Sequence, residues 1–203
     1  LKVIIMDRRN LGRSEVSFAN AEPLSGEEAE DLHVLLQRLD IDSAIFYGMS
    51  SGSRSNMVLA ERYPEQVDAL IIAPLTGGPI AAQRLSEEYF LSYLRDDSLT
   101  SMEAVAQTPL WKGYMERNSP ELQKIFMEQN IDDFLATMKM TGEFLASFHA
   151  KTTLGMTDEQ LMSLEVPATL ILHHGQEIDF LHPKVNARAA TTLLQNSTFK
   201  IAP

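Results

Sequence analysis

Residues 44–52 read A-I-F-Y-G-M-S-S-G, a short apolar run that leads directly into a turn of small residues. A helical pattern begins immediately after the turn and ends before Pro64, because the residue that precedes a proline disfavours the helical conformation. The turn places Gly48, Ser50 and Gly52 in G-x-S-x-G spacing between a strand and a helix. This context predicts a sharp turn that lifts the Ser50 hydroxyl clear of a sheet.

Each position of this turn has a physical role in the predicted chemistry. Ser50 would be a nucleophile, and Gly48 and Gly52 would allow the strand and the helix to approach closely. The backbone N–H of Ser51 would lie at the helix N-terminus, where donors are unpaired and negative charge is favoured, so it would bind an oxyanion. The alternative is an ordinary tight turn that contains two serines.

Strand and helix patterns alternate along most of the chain. Predicted strands cover Val3–Met6, Ser43–Met49, Val67–Ala73, Ala168–His173 and Thr198–Ile201. Alternation of this kind is typical of a parallel sheet with helices on both faces. Residues 80–163 hold only helical patterns, so we expect a core of residues 1–79 and 164–203 that is interrupted by an all-helical insertion, residues 80–163.

The composition excludes several classes of protein. The 203 residues carry a net charge of −11, which disfavours binding to nucleic acid. The absence of cysteine excludes disulfides, zinc–thiolate sites and a cysteine nucleophile. No apolar run is long enough to span a membrane and no signal peptide is evident, so a cytoplasmic protein without a membrane partner is expected. The oligomeric state cannot be predicted.

Three further segments resemble the α/β-hydrolase family. Residues 7–14, D-R-R-N-L-G-R-S, are similar to its D-x-R-G-x-G-x-S loop, although Asn10 stands where glycine is usual. Residues 60–67, A-E-R-Y-P-E-Q-V, and the segment from Val166 to Pro183 also resemble that family. The resemblance implies an α/β-hydrolase fold: a mostly parallel sheet flanked by helices, with residues 80–163 as a helical cap.

The same resemblance implies a Ser-His-Asp triad. The acid would follow the strand that ends at His173, and Asp179, four residues before Pro183, fits best, with Glu177 as the alternative. Both could instead be solvated loop acids. In that family the histidine comes last in the chain, so it is expected just beyond residue 203. The third strand of the family and its His-Gly motif are also missing from this chain. These gaps suggest that flanking sequence exists at both ends.

The histidines within the chain are weaker candidates for the base; the five are His33, His149, His173, His174 and His182. The last three also supply ligand types for a metal, but their spacing matches no zinc pattern, and neither a metal nor an organic cofactor is implied.

The function implied is acyl transfer from Ser50 on a small-molecule ester or related carbonyl compound with an apolar or aromatic group. Eight aromatic residues of the insertion could line an apolar pocket or could pack the cap: Phe90, Tyr93, Trp111, Tyr114, Phe126, Phe134, Phe144 and Phe148. Carbon–carbon bond hydrolases and prolyl aminopeptidases are similar in the same segments. A non-catalytic protein that binds a small molecule or a partner, or an inactive fragment, remains the alternative.

Overall fold

The computed structural model describes residues 2–176 and 178–202. Within these ranges the chain forms one sheet of four parallel strands in the order of the sequence: β1 (Ala44–Gly48), β2 (Val67–Ile72), β3 (Thr169–His173) and β4 (Ser197–Ile201). These strands confirm four of the predicted ones. Because all four are parallel, their carboxyl ends lie at one edge of the sheet, where ligands bind in open α/β sheets.

Helices connect and cover the strands. In the described part of the chain they are α1 (Leu24–Arg38), α2 (Ser51–Arg62), α3 (Pro79–Tyr89), α4 (Met102–Ala106), α5 (Pro109–Arg117), α6 (Pro120–Met127), α7 (Ile131–Ala146), α8 (Asp158–Ser163) and α9 (Lys184–Leu193). Six of them, α3 to α8, lie between β2 and β3. No helix among the described residues is long and apolar enough to cross a membrane.

The buried side chains form separate clusters on the sheet and among the inserted helices. The sheet cluster joins Leu70 and Ile171 of the strands to Leu59 of α2 and Ala187 of α9. Leu161 of α8 also belongs to it, so the last part of the range 80–163 packs on the sheet. The division of the chain into a core and a cap remains a prediction.

The aromatic residues of the insertion mainly pack against one another. Trp111, Phe126 and Phe134 are buried around Phe18, whose ring lies edge-on to Phe134 with the centroids 4.9 Å apart. Aromatic rings bury large apolar areas and favour this edge-to-face geometry. Of the two roles that the sequence left open, most of these rings therefore have the second, since they pack in the core of the helical insertion.

The predicted strand Val3–Met6 is wrong. Residues 2–7 form no strand, and the Val3 and Ile5 side chains are 70% and 91% exposed. A parallel strand needs a neighbour to pair its backbone, and within the described residues β1 pairs only with β2. The apolar run therefore has no described strand beside it on which to form a ladder.

Candidate active site

Ser50 lies at the carboxyl end of β1 in a backbone conformation that is rare for residues other than glycine. Its φ is 52° and its ψ is −112°, and α2 begins at the next residue. The Ser50 N–H donates to the Pro74 carbonyl at 3.2 Å, and the Gly52 N–H donates to the Met49 carbonyl at 2.9 Å. Strained backbone of this kind clusters at functional sites, because the surrounding structure must maintain it.

The two glycines of the turn differ in what requires them. A Cβ atom on Gly48 would lie 2.7 Å from the Gly52 carbonyl group and from the Asn56 side-chain nitrogen. A Cβ atom on Gly52 would meet no atom within 4 Å. The close approach of strand and helix therefore requires the glycine at position 48, whereas the space around Gly52 does not explain the second glycine.

The Ser51 N–H is available to a ligand. Ser51 is the first residue of α2, and its N–H donates to no other group in the described part of the chain. The first N–H groups of a helix lack partners within the helix, and the helix dipole favours negative charge there. This geometry suits the predicted oxyanion donor, which remains a prediction.

Asp179 lies in the loop after β3 and accepts four hydrogen bonds. Its Oδ1 accepts from the N–H groups of Leu181 and His182, at 2.9 and 3.0 Å. Its Oδ2 accepts from the rings of His182 and His174, at 2.9 and 2.8 Å. Burial by itself raises the pKa of the Asp179 carboxyl, but the hydrogen bonds from His182, His174 and the two N–H groups outweigh it and hold the pKa well below its ordinary value.

His182 links this carboxylate to Ser50. Its Nε2 lies 2.9 Å from the Ser50 Oγ, and its Nδ1 lies 2.9 Å from the Asp179 Oδ2. Because the carboxylate accepts the Nδ1 proton, Nε2 is the ring nitrogen that is free to accept the serine proton. Ser50, His182 and Asp179 thus form a continuous hydrogen-bonded chain with the geometry of a nucleophile, a base and an orienting acid.

The histidine expected beyond residue 203 lies outside the described residues, and so does the alternative acid Glu177. On the sequence alone His182 is only one of the weaker candidates for the base. Its proximity to Asp179 in the sequence does not show whether it lies near Ser50 in space, because Ser50 is 132 positions away. The D-x-x-H spacing was the one local signal that could have favoured it.

Two adjacent histidines support the loop. His173 is buried at the end of β3; its Nδ1 accepts from the Gly175 N–H at 3.0 Å, and its Nε2 donates to the His182 carbonyl at 2.9 Å. The neighbouring His174 accepts from the Gln176 N–H at Nδ1, at 3.2 Å, which leaves its Nε2 proton for Asp179. Both rings therefore hold the backbone or the acid of the site in place.

Thr76 is a further neighbour of the serine that the sequence did not indicate. Its Oγ1 lies 3.4 Å from the Ser50 Oγ, and the residue is almost fully buried. The Thr76 carbonyl accepts from the Thr153 hydroxyl and the Leu154 N–H, at 3.0 and 3.1 Å. The site is thereby tied to the end of the helical insertion.

The site also contains ligand atoms that a metal ion could use. One atom each from His174, Asp179 and His182 lies within 4.8 Å of the others. This set differs from the three histidines weighed on the sequence, because His173 is engaged with the His182 carbonyl. A metal at this place would replace the proton between His182 and Asp179, so it would compete with the hydrogen-bonded chain to Ser50.

Neither a protein-family model nor a curated protein matches the chain. Solved structures do match it. A hydrolase from Pseudomonas aeruginosa is 21% identical with a TM-score of 0.58, over 97% of this chain and 69% of its own. A thermophilic esterase from Thermogutta terrifontis is 20% identical with a TM-score of 0.55, over 97% and 69%. A 2-hydroxy-6-oxo-6-phenylhexa-2,4-dienoate hydrolase from Rhodococcus is 19% identical with a TM-score of 0.55, over 95% and 68%.

These likenesses, together with the parallel sheet and its flanking helices, define the fold. The chain has the α/β-hydrolase fold, as the sequence motifs predicted. At these identities the similarity fixes the architecture and leaves the activity to be argued from the site.

Proposed function

We propose that this protein is a serine hydrolase in which Ser50 is the nucleophile, His182 the general base and Asp179 the orienting acid. The observation that carries the proposal is the pair of 2.9 Å contacts that join the Ser50 hydroxyl to the His182 ring and that ring to the Asp179 carboxylate. Serine hydroxyls are weak nucleophiles unless an adjacent base accepts their proton. The contacts supply that base and hold it in the required tautomer.

The first half of the reaction acylates the enzyme. The Ser50 Oγ attacks the carbonyl carbon of the substrate while its proton passes to the His182 Nε2. The carboxylate of Asp179, whose pKa is held low, stabilises the positive imidazolium ring. The carbonyl oxygen becomes an oxyanion and accepts a hydrogen bond from the Ser51 N–H.

Loss of the leaving group completes the acylation, and hydrolysis of the acyl-enzyme then releases the acid. The tetrahedral intermediate collapses, the bond to the leaving group breaks, and the leaving group takes the proton from the His182 Nε2. Water then attacks the acyl group on Ser50 and gives its proton to the same nitrogen. Collapse of the second intermediate breaks the bond to the serine oxygen, which recovers its proton, and an acid is released.

A small carbonyl compound with an apolar part is the proposed substrate, and residues 80–163 are proposed as the cap that admits it. The esterase from Thermogutta terrifontis supports an ester as the first choice. The structural likeness to a hydrolase of 2-hydroxy-6-oxo-6-phenylhexa-2,4-dienoate supports a second candidate, cleavage of a carbon–carbon bond next to a carbonyl group.

Labelling with a fluorophosphonate probe tests the nucleophile. The probe reacts with serines that an adjacent base activates, so we expect labelling of the protein and none of Ser50→Ala. Ser51→Ala is the matched control, because it removes the neighbouring hydroxyl and keeps the Ser51 N–H. A folded protein that is not labelled would contradict the proposal and favour a non-catalytic binding protein.

Turnover assays separate the two candidate reactions. Aryl esters of short and long acids test ester hydrolysis, and a 2-hydroxy-6-oxo-dienoate tests carbon–carbon cleavage, each with Ser50→Ala as the control. A higher kcat/KM for the esters supports the first choice, and the reverse supports the second. Turnover that survives in Ser50→Ala would contradict both.

A further inference from the structure

A cavity of about 250 Å³ lies between residues 11–13 and helix α5. Leu11 and Arg13 border it from the loop, and Trp111, Tyr114 and Arg117 border it from the helix. None of Ser50, Asp179 and His182 lines it. The cavity is thus a concave surface that the proposed reaction does not use.

The cavity concentrates unpaired positive charge in an acidic protein. Arg13 and Arg117 both border it, and in the described part of the chain neither guanidinium forms an ion pair with a carboxylate. By contrast Arg9 and Arg62 are each paired with two carboxylates. The chain carries a net charge of −11, so two arginines left without acidic partners at one cavity point to an anionic ligand.

Two aromatic side chains of helix α5 border the cavity. Trp111 and Tyr114 are only 7% and 4% exposed. Leu11 and Leu110, both about half exposed at the rim, add apolar surface. A ligand with an apolar body would match these features.

The loop that carries Arg13 is fixed before any ligand binds. Gly12 has a φ of 55°, and a Cβ atom there would lie 2.3 Å from the Asp7 carboxyl carbon. The Arg13 N–H donates to the Asp7 Oδ2 at 3.1 Å, and the Ser14 hydroxyl donates to the Asp7 carbonyl. A fixed loop lowers the entropy that binding costs.

We propose that this cavity binds a small organic carboxylate with one aromatic ring. The two guanidiniums suit the carboxylate, since arginine recognises this group with paired hydrogen bonds. The rings of Trp111 and Tyr114 and the two rim leucines suit the aromatic ring. A volume of about 250 Å³ lies just below the usual range of ligand pockets, which favours a one-ring ligand. This site does not depend on the proposed hydrolase activity.

The protein contains its own reporter for this ligand, because Trp111 is the single tryptophan of the chain. Titration of the whole chain with benzoate should change the tryptophan fluorescence in a saturable manner. Benzamide, which has the same shape and no charge, should bind at least tenfold more weakly, and acetate, which lacks the ring, should do the same.

Variants assign the binding to the cavity. Arg13→Gln and Arg117→Gln should each weaken benzoate binding about tenfold, because each removes a charge-assisted hydrogen bond. Arg84→Gln is the matched control, since Arg84 is exposed, lies on α3 and is paired with Glu88 of the same helix. Ser50→Ala should bind benzoate with unchanged affinity, which separates this site from the proposed active site.

Three results would overturn the proposal: no saturable change with benzoate, equal affinity for benzoate and benzamide, or unchanged affinity in the folded double variant Arg13→Gln/Arg117→Gln. Circular dichroism establishes the folding of that variant. Both arginines are exposed, so we expect the double variant to fold.

Discussion

The turn after β1 and the loop after β3 both place a candidate catalytic group at the same edge of the sheet, yet they are held in different ways. The turn is fixed by backbone: Ser50 has a φ of 52°, and a Cβ atom at position 48 would lie only 2.7 Å from the Gly52 carbonyl group. The loop is fixed by side chains: Asp179 accepts hydrogen bonds from two histidine rings and two N–H groups.

This difference determines what a variant can do to each segment. A backbone-fixed turn responds to added atoms, because the close contact leaves no room for them. A loop that is held by side chains responds to lost atoms, because each removed donor frees the groups that it oriented. Variants of the loop should therefore change the reaction, and variants of the turn should also change stability.

The largest expected effect is that of His182→Ala, which removes the proposed base. We expect kcat for the best ester to fall on the order of 10⁶-fold, the loss found when a serine hydrolase loses its histidine. His149→Ala is the control, since His149 is exposed and outside the site. Retention of fluorophosphonate labelling by His182→Ala would show that a group other than His182 activates Ser50.

Asp179→Asn should have the next largest effect. The amide keeps the shape of the side chain but cannot orient the ring in the required tautomer, so kcat should fall about 10⁴-fold. Ester hydrolysis by the purified variant measures this loss. An unchanged kcat would contradict the assignment of the acid.

The same variant tests the low pKa of Asp179. A carboxyl whose pKa is lower in the folded protein stabilises the fold above its unfolded pKa of about 4 and loses that contribution as the pH falls further. The difference in unfolding free energy between the protein and Asp179→Asn should therefore shrink below about pH 4. A difference that stays constant with pH would contradict the low pKa.

Local features of the sequence predicted most of the fold. The strand at Ala44–Gly48, the helix from Ser51 and the parallel order follow from apolar runs, small turn residues and the stop before Pro64. Each of these signals depends on residues close to one another in the chain. The position of Ser50 was predicted for the same reason, and that of Asp179 from the resemblance to the α/β-hydrolase family, although their catalytic roles remain proposals.

Features that depend on distant partners were not predicted. The contact of His182 with Ser50 arises because β1 and β3 end at the same edge, and no local pattern shows which histidine then reaches the serine. Val3–Met6 has the pattern of a buried strand, but a strand forms only where a neighbour pairs with it. Aromatic residues likewise do not show from the sequence whether they face a pocket or one another.

A matched pair of glycine variants tests whether close backbone contacts fix the turn after β1. Gly48→Ala should lower the unfolding free energy by about 2 kcal/mol, because its Cβ would lie 2.7 Å from the Gly52 backbone. Gly52→Ala should change it by no more than about 1 kcal/mol, since the new atom meets open space and alanine favours helices. Urea unfolding measures both. Equal losses in the two variants would contradict this account of the turn.

The smallest expected effect concerns His174, which donates the second ring hydrogen bond to Asp179. His174→Phe removes the donor and should lower kcat about fivefold, as expected for the loss of one hydrogen bond, with KM unchanged because His174 does not contact Ser50. His174→Gln keeps an N–H donor and should recover most of the rate. Recovery by glutamine but not by phenylalanine would identify His174 as a positioning residue for the acid. An equal loss of kcat in both variants, accompanied by a lower unfolding free energy, would mean that the His174 ring only supports the loop. His182 would then be the one histidine of the two that orients Asp179.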